Sequence, residues 1–548
     1  MKTEQNIPHI KIKGKQIVAE HGDTYLTMRV RLKSGKHRNF QIEKSMMSDL
    51  KILHKYLVNK DVDIPLAYTD AKQQLVLLAA QEEVKATKMV SRCGFHGKTY
   101  VTPHCSYGPE KGIVVFPLPE PKNFIPFGMM GGTLKGYVAA VKPVAQRSRI
   151  FRVLAGAQCA SILAGRLDIG QNGSILLSGK SGIGKSTLIR LVTAMVGRAK
   201  EEKDLKTFAG TEAGKEDYFE FFTNSLNVSD EVGTEEDDDD NPKVLYAKLK
   251  RLAYRFASQQ GRQLSASYRK ISGVSQRTWN QLLVLSGEKS FKAIAFTAGK
   301  TVPQGALRRL IDINVKDSDT LFDNDGKSGV LTQKESIEIL LSAVKGIETN
   351  YGVALGTFVE WINSQDHLEA EFCEVRDDFI KAMESEDGWH RAFVRRFAVK
   401  CAAGVMGIRA EIIPCTEKSY VSSLKKICAD TLKYCTSPSE EIVDLADNLL
   451  EAIENLQQVS TPNADGIHLS FDPDSSLGFL SKDKKVANII AHQLHVLSGG
   501  QQRTSVLLNY LKAQGHLYGS KDSYPVNLPN GGSKQARCYR INRKAIKP

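Results

Sequence analysis

One loop constrains this chain more than any other part of it. Gly179, Lys180, Ser181, Gly182, Ile183, Gly184, Lys185 and Ser186 fill every fixed position of the phosphate-binding pattern G-x-x-x-x-G-K-[ST]. The glycines let successive backbone N–H groups turn inward onto phosphate oxygens. Lys185 is placed to reach the β- and γ-phosphates, and Ser186 to hold Mg²⁺. Such a loop joins a strand to a helix. Ser174–Ser178 reads as the apolar strand leading in. Thr187–Val196 reads as an amphipathic helix leading out, and its N-terminus adds partial positive charge to the anion site. ATP and Mg²⁺ are the expected cofactors, with residues 179–187 as the cradle.

At 548 residues the chain has room for about three or four domains. No apolar run approaches the ~18 residues of a membrane span, so no membrane partner is expected. The first residues lack the apolar core of a signal peptide, which predicts a cytoplasmic location. The nine cysteines include no Cys-x-x-Cys pair, as in reduced cytosolic chains. Cys93, His96, His104 and Cys105 lie close in sequence. Adjacent His104 and Cys105 suit a tetrahedral ion poorly, so a β-hairpin is the reading taken over a zinc site.

The net charge of +14 is unevenly placed. Residues 476–548 hold twelve lysines and arginines against two aspartates, a surplus of ten. A basic terminal unit predicts a polyanionic partner, most simply DNA.

Residues 1–130 read as a β-rich domain. Thr24–Leu32 alternates, Gln74–Leu78 and Gly112–Phe116 are further strands, and a helix fits Ser45–Val58. The pattern turns helical from Lys135 through Phe151–Leu167. Residues 131–325 then form an ATPase core of AAA+-like type, with later strands at Leu282–Ser286, Ala293–Phe296 and Leu310–Asn314. Strands alternating with helices imply a parallel sheet with nucleotide at its carboxyl edge. Residues 326–459 read as a helical lid or bundle, and Ser460–Gly466 as a linker. Residues 466–548 read as a basic winged-helix domain. Its parts are a helix near Lys482–Leu494, a turn at Ser498–Gly500, a helix at Gln501–Ala513 and a strand at Cys538–Asn542. The expected fold is thus multidomain α/β.

Hydrolysis needs a carboxylate that helps hold Mg²⁺ and another that polarises water. Asp230 and Glu231 follow the strand-like Ser225–Ser229 and take these two roles, as in AAA+ ATPases. The acidic run 235–240 lacks fixed geometry and reads as a solvated loop. Ser286 ends an apolar strand and is placed to sense the γ-phosphate, with Glu288 close by. Arg308 and Arg309 precede the next strand, where an arginine can reach a neighbouring subunit's nucleotide. Arg395 and Arg396 lie in the helical segment, and one of them is a candidate second phosphate sensor. Arg269 and Lys270 sit in a hairpin-like stretch suited to a nucleic-acid backbone. Gln501, Gln502 and Arg503 open the recognition helix of the winged-helix reading.

These motifs, in this order, resemble bacterial ATPases carrying the uncharacterised domain DUF927, found on phage, integrative and cassette-type mobile elements. The family includes proteins described as cassette chromosome helicases. The resemblance runs through Cys93–Pro103, the 179–186 loop, Ser229–Gly233, Trp279 and Leu285–Glu288. It continues through Arg308–Ile313, Tyr351–Phe358 and Arg396–Ala398. Family members often carry Trp where Phe95 stands, and a more apolar strand before their Asp-Glu pair. The resemblance implies an AAA+-like module that assembles as a ring, a hexamer by expectation, and moves on single-stranded or forked DNA. It also implies a role in replicating or mobilising a mobile element. The alternatives are an AAA+ ATPase that loads helicases, remodels complexes or switches phage defence, and an ATP-regulated DNA-binding protein.

Overall fold

The computed structural model describes residues 11–18, 24–47, 49–62, 86–116, 118, 124–169, 173–207, 211–230, 232, 241–263, 265, 276–315, 321–323, 331–384, 387–436, 440–456, 476–481, 484–517, 522–527 and 533–544. Gln74–Leu78 and the 460–466 linker lie outside them.

The N-terminal part is built on β1 (Lys11–Val18), β2 (Thr24–Arg31) and β3 (His37–Glu43), an antiparallel meander. Leu26, Met28 and Val30 alternate on one face of β2 and bury against Leu53 and Leu57 of α1 (Leu50–Asn59). Asp49 caps α1 by accepting from the Lys51 and Ile52 amides, so the helix starts there and not at Ser45. Strand β4 (Ala86–Val90) joins this sheet in parallel with β1. A small separate sheet holds β5 (Gly94–His96), β6 (Thr99–Val101) and β7 (Ser106–Tyr107). The short β8 (Val114–Val115) pairs with β4, giving the larger sheet the order β3-β2-β1-β4-β8.

Two helices follow, α2 (Leu134–Arg147) and α3 (Arg149–Leu163), broken at Ser148. The central unit then alternates β9 (Ser174–Gly179), α4 (Lys185–Thr193), β10 (Lys206–Thr207), α5 (Glu212–Phe221), β11 (Asn227–Asp230), α6 (Pro242–Ser258), β12 (Leu283–Gly287), α7 (Phe291–Thr297), α8 (Gln304–Leu307) and β13 (Leu310–Val315). Its five strands are all parallel, in the order β10-β11-β12-β9-β13. Both faces are covered. Ile175, Leu177, Val284, Ile311 and Ile313 face the core shared with α3. Leu176, Leu283, Leu285 and Leu310 face α6 and α7.

Ala293–Phe296 is helix, not strand. A short apolar run is ambiguous by periodicity, and its ends decide it. The Ser290 hydroxyl accepts from the Ala293 amide, and Gly299 closes the C-terminus with φ of 66°.

Helices α9 (Gln333–Ile347) and α10 (Val353–Ser364) pack on α2, α11 (Leu368–Ala382) packs on α12 (Gly388–Arg409), and α12 and α13 (Glu417–Thr436) pack on α3, which is buried from Ile150 to Leu163. Gly156 of α3 and Gly404 of α12 make room for Tyr420 of α13. Its hydroxyl sits between the carbonyls of Arg152 and Lys400, at 2.9 and 3.2 Å.

The C-terminal unit comprises α14 (Glu440–Glu454), β14 (Gly478–Leu480), β15 (Val486–Ile490), α15 (Ala491–Leu497), α16 (Gln501–Ala513), β16 (Asp522–Asn527) and β17 (Ser533–Asn542). Its sheet is antiparallel, ordered β14-β15-β17-β16. Leu449 and Ile453 of α14 share its core with Leu494, Leu507 and Ile541. The helix expected near Lys482–Leu494 is half strand: Val486–Ile490 pairs with β14 on one side and β17 on the other, and only from Ala491 does the chain turn helical. Among the described residues no helix is long and apolar enough to cross a membrane.

Candidate nucleotide-binding site

The 179–186 loop lies between β9 and α4 at the carboxyl edge of the parallel sheet, where such sheets open a crevice for ligands. Gly184 caps α4 with φ of 96°, a conformation that disfavours a side chain; a Cβ there would also meet Leu340 at 2.8 Å. The buried Lys185 ammonium donates to the carbonyls of Gly179 at 2.6 Å and Lys180 at 2.8 Å. Burial lowers its pKa, and the charges of Glu288 and Asp230 oppose that shift.

Asp230 ends β11. Its Oδ1 accepts from the Ser186 hydroxyl at 3.2 Å and also from the Ser286 hydroxyl. Sheet order explains the meeting. Strand β12, which carries Ser286, lies between β9 and β11, so its tip falls between the loop and the carboxylate. A cavity of about 690 Å³ opens in front of these groups. Its wall includes Lys185, Ser186, Thr187, Asp230, Ser286 and Glu288, all on or beside the expected motifs. It also includes Glu202, Pro242, Leu245, Lys289, Ile294 and Thr297, which sequence reasoning missed. Those positions belong to no motif and come from four separate segments.

The donor set suits the expected cofactors. Backbone amides at a helix N-terminus and an ammonium fit phosphate. A hydroxyl and a carboxylate oxygen 3.2 Å apart are hard donors of the kind Mg²⁺ takes. Glu231, the expected base, lies outside the described residues, as do Arg269 and Lys270.

Asp312 was also missed, although a carboxylate in the apolar run Leu310–Val315 is itself a signal. It is fully buried on β13. It accepts from the Ser178 hydroxyl at 2.7 Å and from the Phe291 amide at 2.7 Å. It thus ties the strand that enters the loop to the first turn of α7. Burial pushes its carboxyl up to about 6 against those hydrogen bonds and the nearby Lys292 charge.

The arginines lie elsewhere. Arg309 donates to the Gly305 carbonyl at 2.8 Å and stacks over Tyr254, 4.9 Å from the ring centre. Arg308 has a buried Nε without a hydrogen-bond partner. Arg396, buried on α12, lies with these two: burial and then the charges of Arg308 and Arg309 push its pKa down to about 10. A Cβ at Gly173, just before β9, would lie 2.6 Å from Arg396 Cδ. The loop begins at the other end of that six-residue strand, about 20 Å away. Arg308, Arg309 and Arg396 are therefore one cluster, at the opposite edge of the sheet from the cavity. Arg396 does not reach its own chain's loop, so it does not serve there as the second phosphate sensor for which Arg395 and Arg396 are the candidates.

Arg503, at the start of α16, donates from Nε to the Thr297 carbonyl at 3.3 Å and lies over the Phe296 ring at 5.5 Å. In the β5–β7 hairpin region, His96 and His104 bond to the Arg92 and Ile125 carbonyls. No three His, Cys, Asp or Glu side chains gather at metal-binding separation among the described residues.

A β-rich N-terminal unit, a parallel-sheet unit with this loop, a helical region and an antiparallel C-terminal sheet define a mixed α/β multidomain protein. The solved structure described as "SCCmec type IV Cch - active helicase" is similar to it over 98% of this chain and 93% of that one, with a TM-score of 0.56 and 14% identity. Residues 7–273 match the family DUF927, a domain of unknown function. The matched segment includes the 179–186 loop and Asp230 but ends before Ser286 and the arginine cluster. A comparison with curated proteins finds none that matches.

Proposed function

We propose that this protein is an ATP-driven DNA helicase or translocase that works as a ring, hexameric by expectation, in the replication or mobilisation of a mobile genetic element. The observation that carries the reading is the convergence of Lys185, Ser186, Asp230 and Ser286 on one cavity at the carboxyl edge of a parallel sheet. Lys185 and the loop amides bind the β- and γ-phosphates. Ser186 and Asp230 hold Mg²⁺, which supplies charge neutralisation on the phosphates when bound. Ser286 fixes the Asp230 carboxylate and faces the γ-phosphate. Glu231 polarises the attacking water, with Glu288 a further carboxylate in the cavity wall.

Arg309, or its neighbour Arg308, acts on the nucleotide of a neighbouring copy, since both lie at the edge of the sheet remote from their own loop, with Arg396 buried behind them. The fold likeness to a protein described as an active helicase supports the DNA-directed part of the reading, as does the basic C-terminal unit. Arg269 and Lys270 would contact the DNA backbone, so binding would be sequence-tolerant and steeply salt-dependent. The C-terminal unit, read as a winged helix, would grip duplex through α16.

A second reading, an ATP-regulated DNA-binding protein, is favoured by the engagement of Arg503 with the Thr297 carbonyl.

Hydrolysis measured with and without forked DNA, beside strand separation, decides between them, with Lys185→Ala as the control. DNA-stimulated hydrolysis with unwinding supports the helicase. Hydrolysis without stimulation or unwinding overturns it.

A further inference from the structure

Helix α7 has two working faces. Ile294 and Thr297 form part of the nucleotide cavity wall. Phe296 points the other way and is buried with Ile442 of α14 and Val506 of α16. A single seven-residue helix therefore lies between the cavity and the C-terminal unit.

Both ends of α7 are tied. At its start, Asp312 accepts from the Phe291 amide and from Ser178, the residue before the loop's first glycine. At its end, the Thr297 carbonyl is one of the last-turn acceptors that a helix leaves without an internal donor. Arg503 supplies that donor, and its positive charge sits favourably at the helix C-terminus. Gly299, in the left-handed conformation that ends α7, brings the two helices into direct contact. A Cβ there would lie 2.3 Å from Gln502 Cβ.

The turn of α16 that makes this contact is the part such a motif presents to DNA. Helix α15, the turn at Ser498–Gly500 and helix α16 follow in the order of a helix-turn-helix, whose second helix reads DNA with its N-terminal residues. The turn is held fast: Thr504 Oγ1 lies 2.6 Å from Ser498 Oγ and 2.9 Å from His495 Nδ1. Arg503 is half-buried where it lies on Phe296, while Gln502 stays exposed beside Gly299. With Nε on the Thr297 carbonyl and its plane on the Phe296 ring, the Arg503 guanidinium is held against α7 and must leave it to turn fully onto a phosphate.

We infer that the contact between α7 and the first turn of α16 is an intramolecular latch. It withholds Arg503 from duplex DNA, and it opens when nucleotide fills the cavity against Ile294 and Thr297. The inference rests on the reading that DNA is the partner of the C-terminal unit. Its apolar part is small, with Phe296, Ile442 and Val506 buried together, and contacts of that size open locally at low cost. Coupling is reciprocal: nucleotide tightens DNA binding by the same factor as DNA tightens nucleotide binding, on the order of 5–150-fold for couplings of this kind.

The test uses the full chain and a labelled duplex at fixed salt, with affinity read by fluorescence anisotropy. Gly299→Asn keeps a residue that tolerates the left-handed conformation while driving a Cβ into Gln502. Val506→Asp breaks the same contact from α16. Hydrogen exchange over residues 501–506 reports the latch directly. Both variants should exchange faster there, bind duplex at least about 5-fold more tightly than wild type, and lose most of the tightening that a non-hydrolysable ATP analogue gives wild type. Unchanged exchange in both variants, or faster exchange with unchanged affinity, overturns the latch and leaves DNA binding standing. Failure of wild type and both variants to bind duplex overturns the DNA reading, and the latch with it.

Discussion

The Ser286 hydroxyl donates to Asp230 Oδ1, the same oxygen that accepts from Ser186 of the 179–186 loop. One carboxylate oxygen thus links the loop to the tips of β11 and β12. A hydrogen bond to a charged group contributes about 1.5–3 kcal/mol, so Ser286→Ala should slow hydrolysis by roughly 10- to 100-fold. Nucleotide affinity should stay near wild type, because Lys185 and the loop amides are untouched. Steady-state turnover beside equilibrium nucleotide binding checks this. Equal losses in both would assign Ser286 to binding instead.

Arg309 and Lys185 belong to different halves of a shared site on the proposed reading. Arg309→Ala and Lys185→Ala should each be nearly inactive alone, with Arg309→Ala down about 10³-fold or more if it acts as an arginine finger. Mixing the two proteins should restore part of the activity, because some interfaces then pair an intact loop with an intact arginine. A mixture no more active than its parts would remove Arg309 from the reaction in trans.

Asp312 predicts a pH signature. Its carboxyl is raised to about 6 in the fold from an ordinary value of 3.8. The folded state therefore holds the proton more tightly than the unfolded chain. The stability this gives is complete below about pH 4 and is lost as pH rises through about 6. Asp312→Asn, whose single oxygen can still accept from the Phe291 amide while its NH2 donates to the Ser178 hydroxyl, should flatten the stability profile between those values and raise stability at neutral pH. Denaturant midpoints from pH 4 to 8 measure it; an identical slope in the variant would exclude Asp312 as its source.

Gly404 tests the packing of the helical region. A Cβ there would lie 1.8 Å from the Tyr420 hydroxyl, which is fully buried and bonded to the Arg152 and Lys400 carbonyls. Overpacking of this sort costs about 1–3 kcal/mol. Gly404→Ala should lower thermal stability accordingly, and Gly404→Ala with Tyr420→Phe should recover part of the loss by removing the colliding atom.

What the sequence disclosed follows from how local each signal is. The 179–186 loop was legible because all its parts are contiguous, and Asp230 and Ser286 because each ends a strand. Strand β15 was hidden because its partner β17 lies some fifty residues later, and pairing on both sides overrides a helical pattern. Helix α7 was misread because Asp312, which holds its first amide, comes from a strand after it in the chain. Arg396 looked like part of a lid by its place in a helical stretch. Only the packing of α12 against Gly173 reveals which end of the sheet it occupies.

The loop at one end of β9 and the arginines at the other give each copy two unlike poles. A two-fold pair could complete both sites only by lying antiparallel, loop against arginine twice over, and would then add no further copy. On the proposed reading, only contacts of one pole with its opposite are productive. Such head-to-tail contacts have a single sense of rotation: they close into a ring when the turn per copy divides the circle, and run on as a filament when it does not. In the proposed ring the head-to-tail contact would set the symmetry, and a substrate threading it would meet every copy in the same orientation.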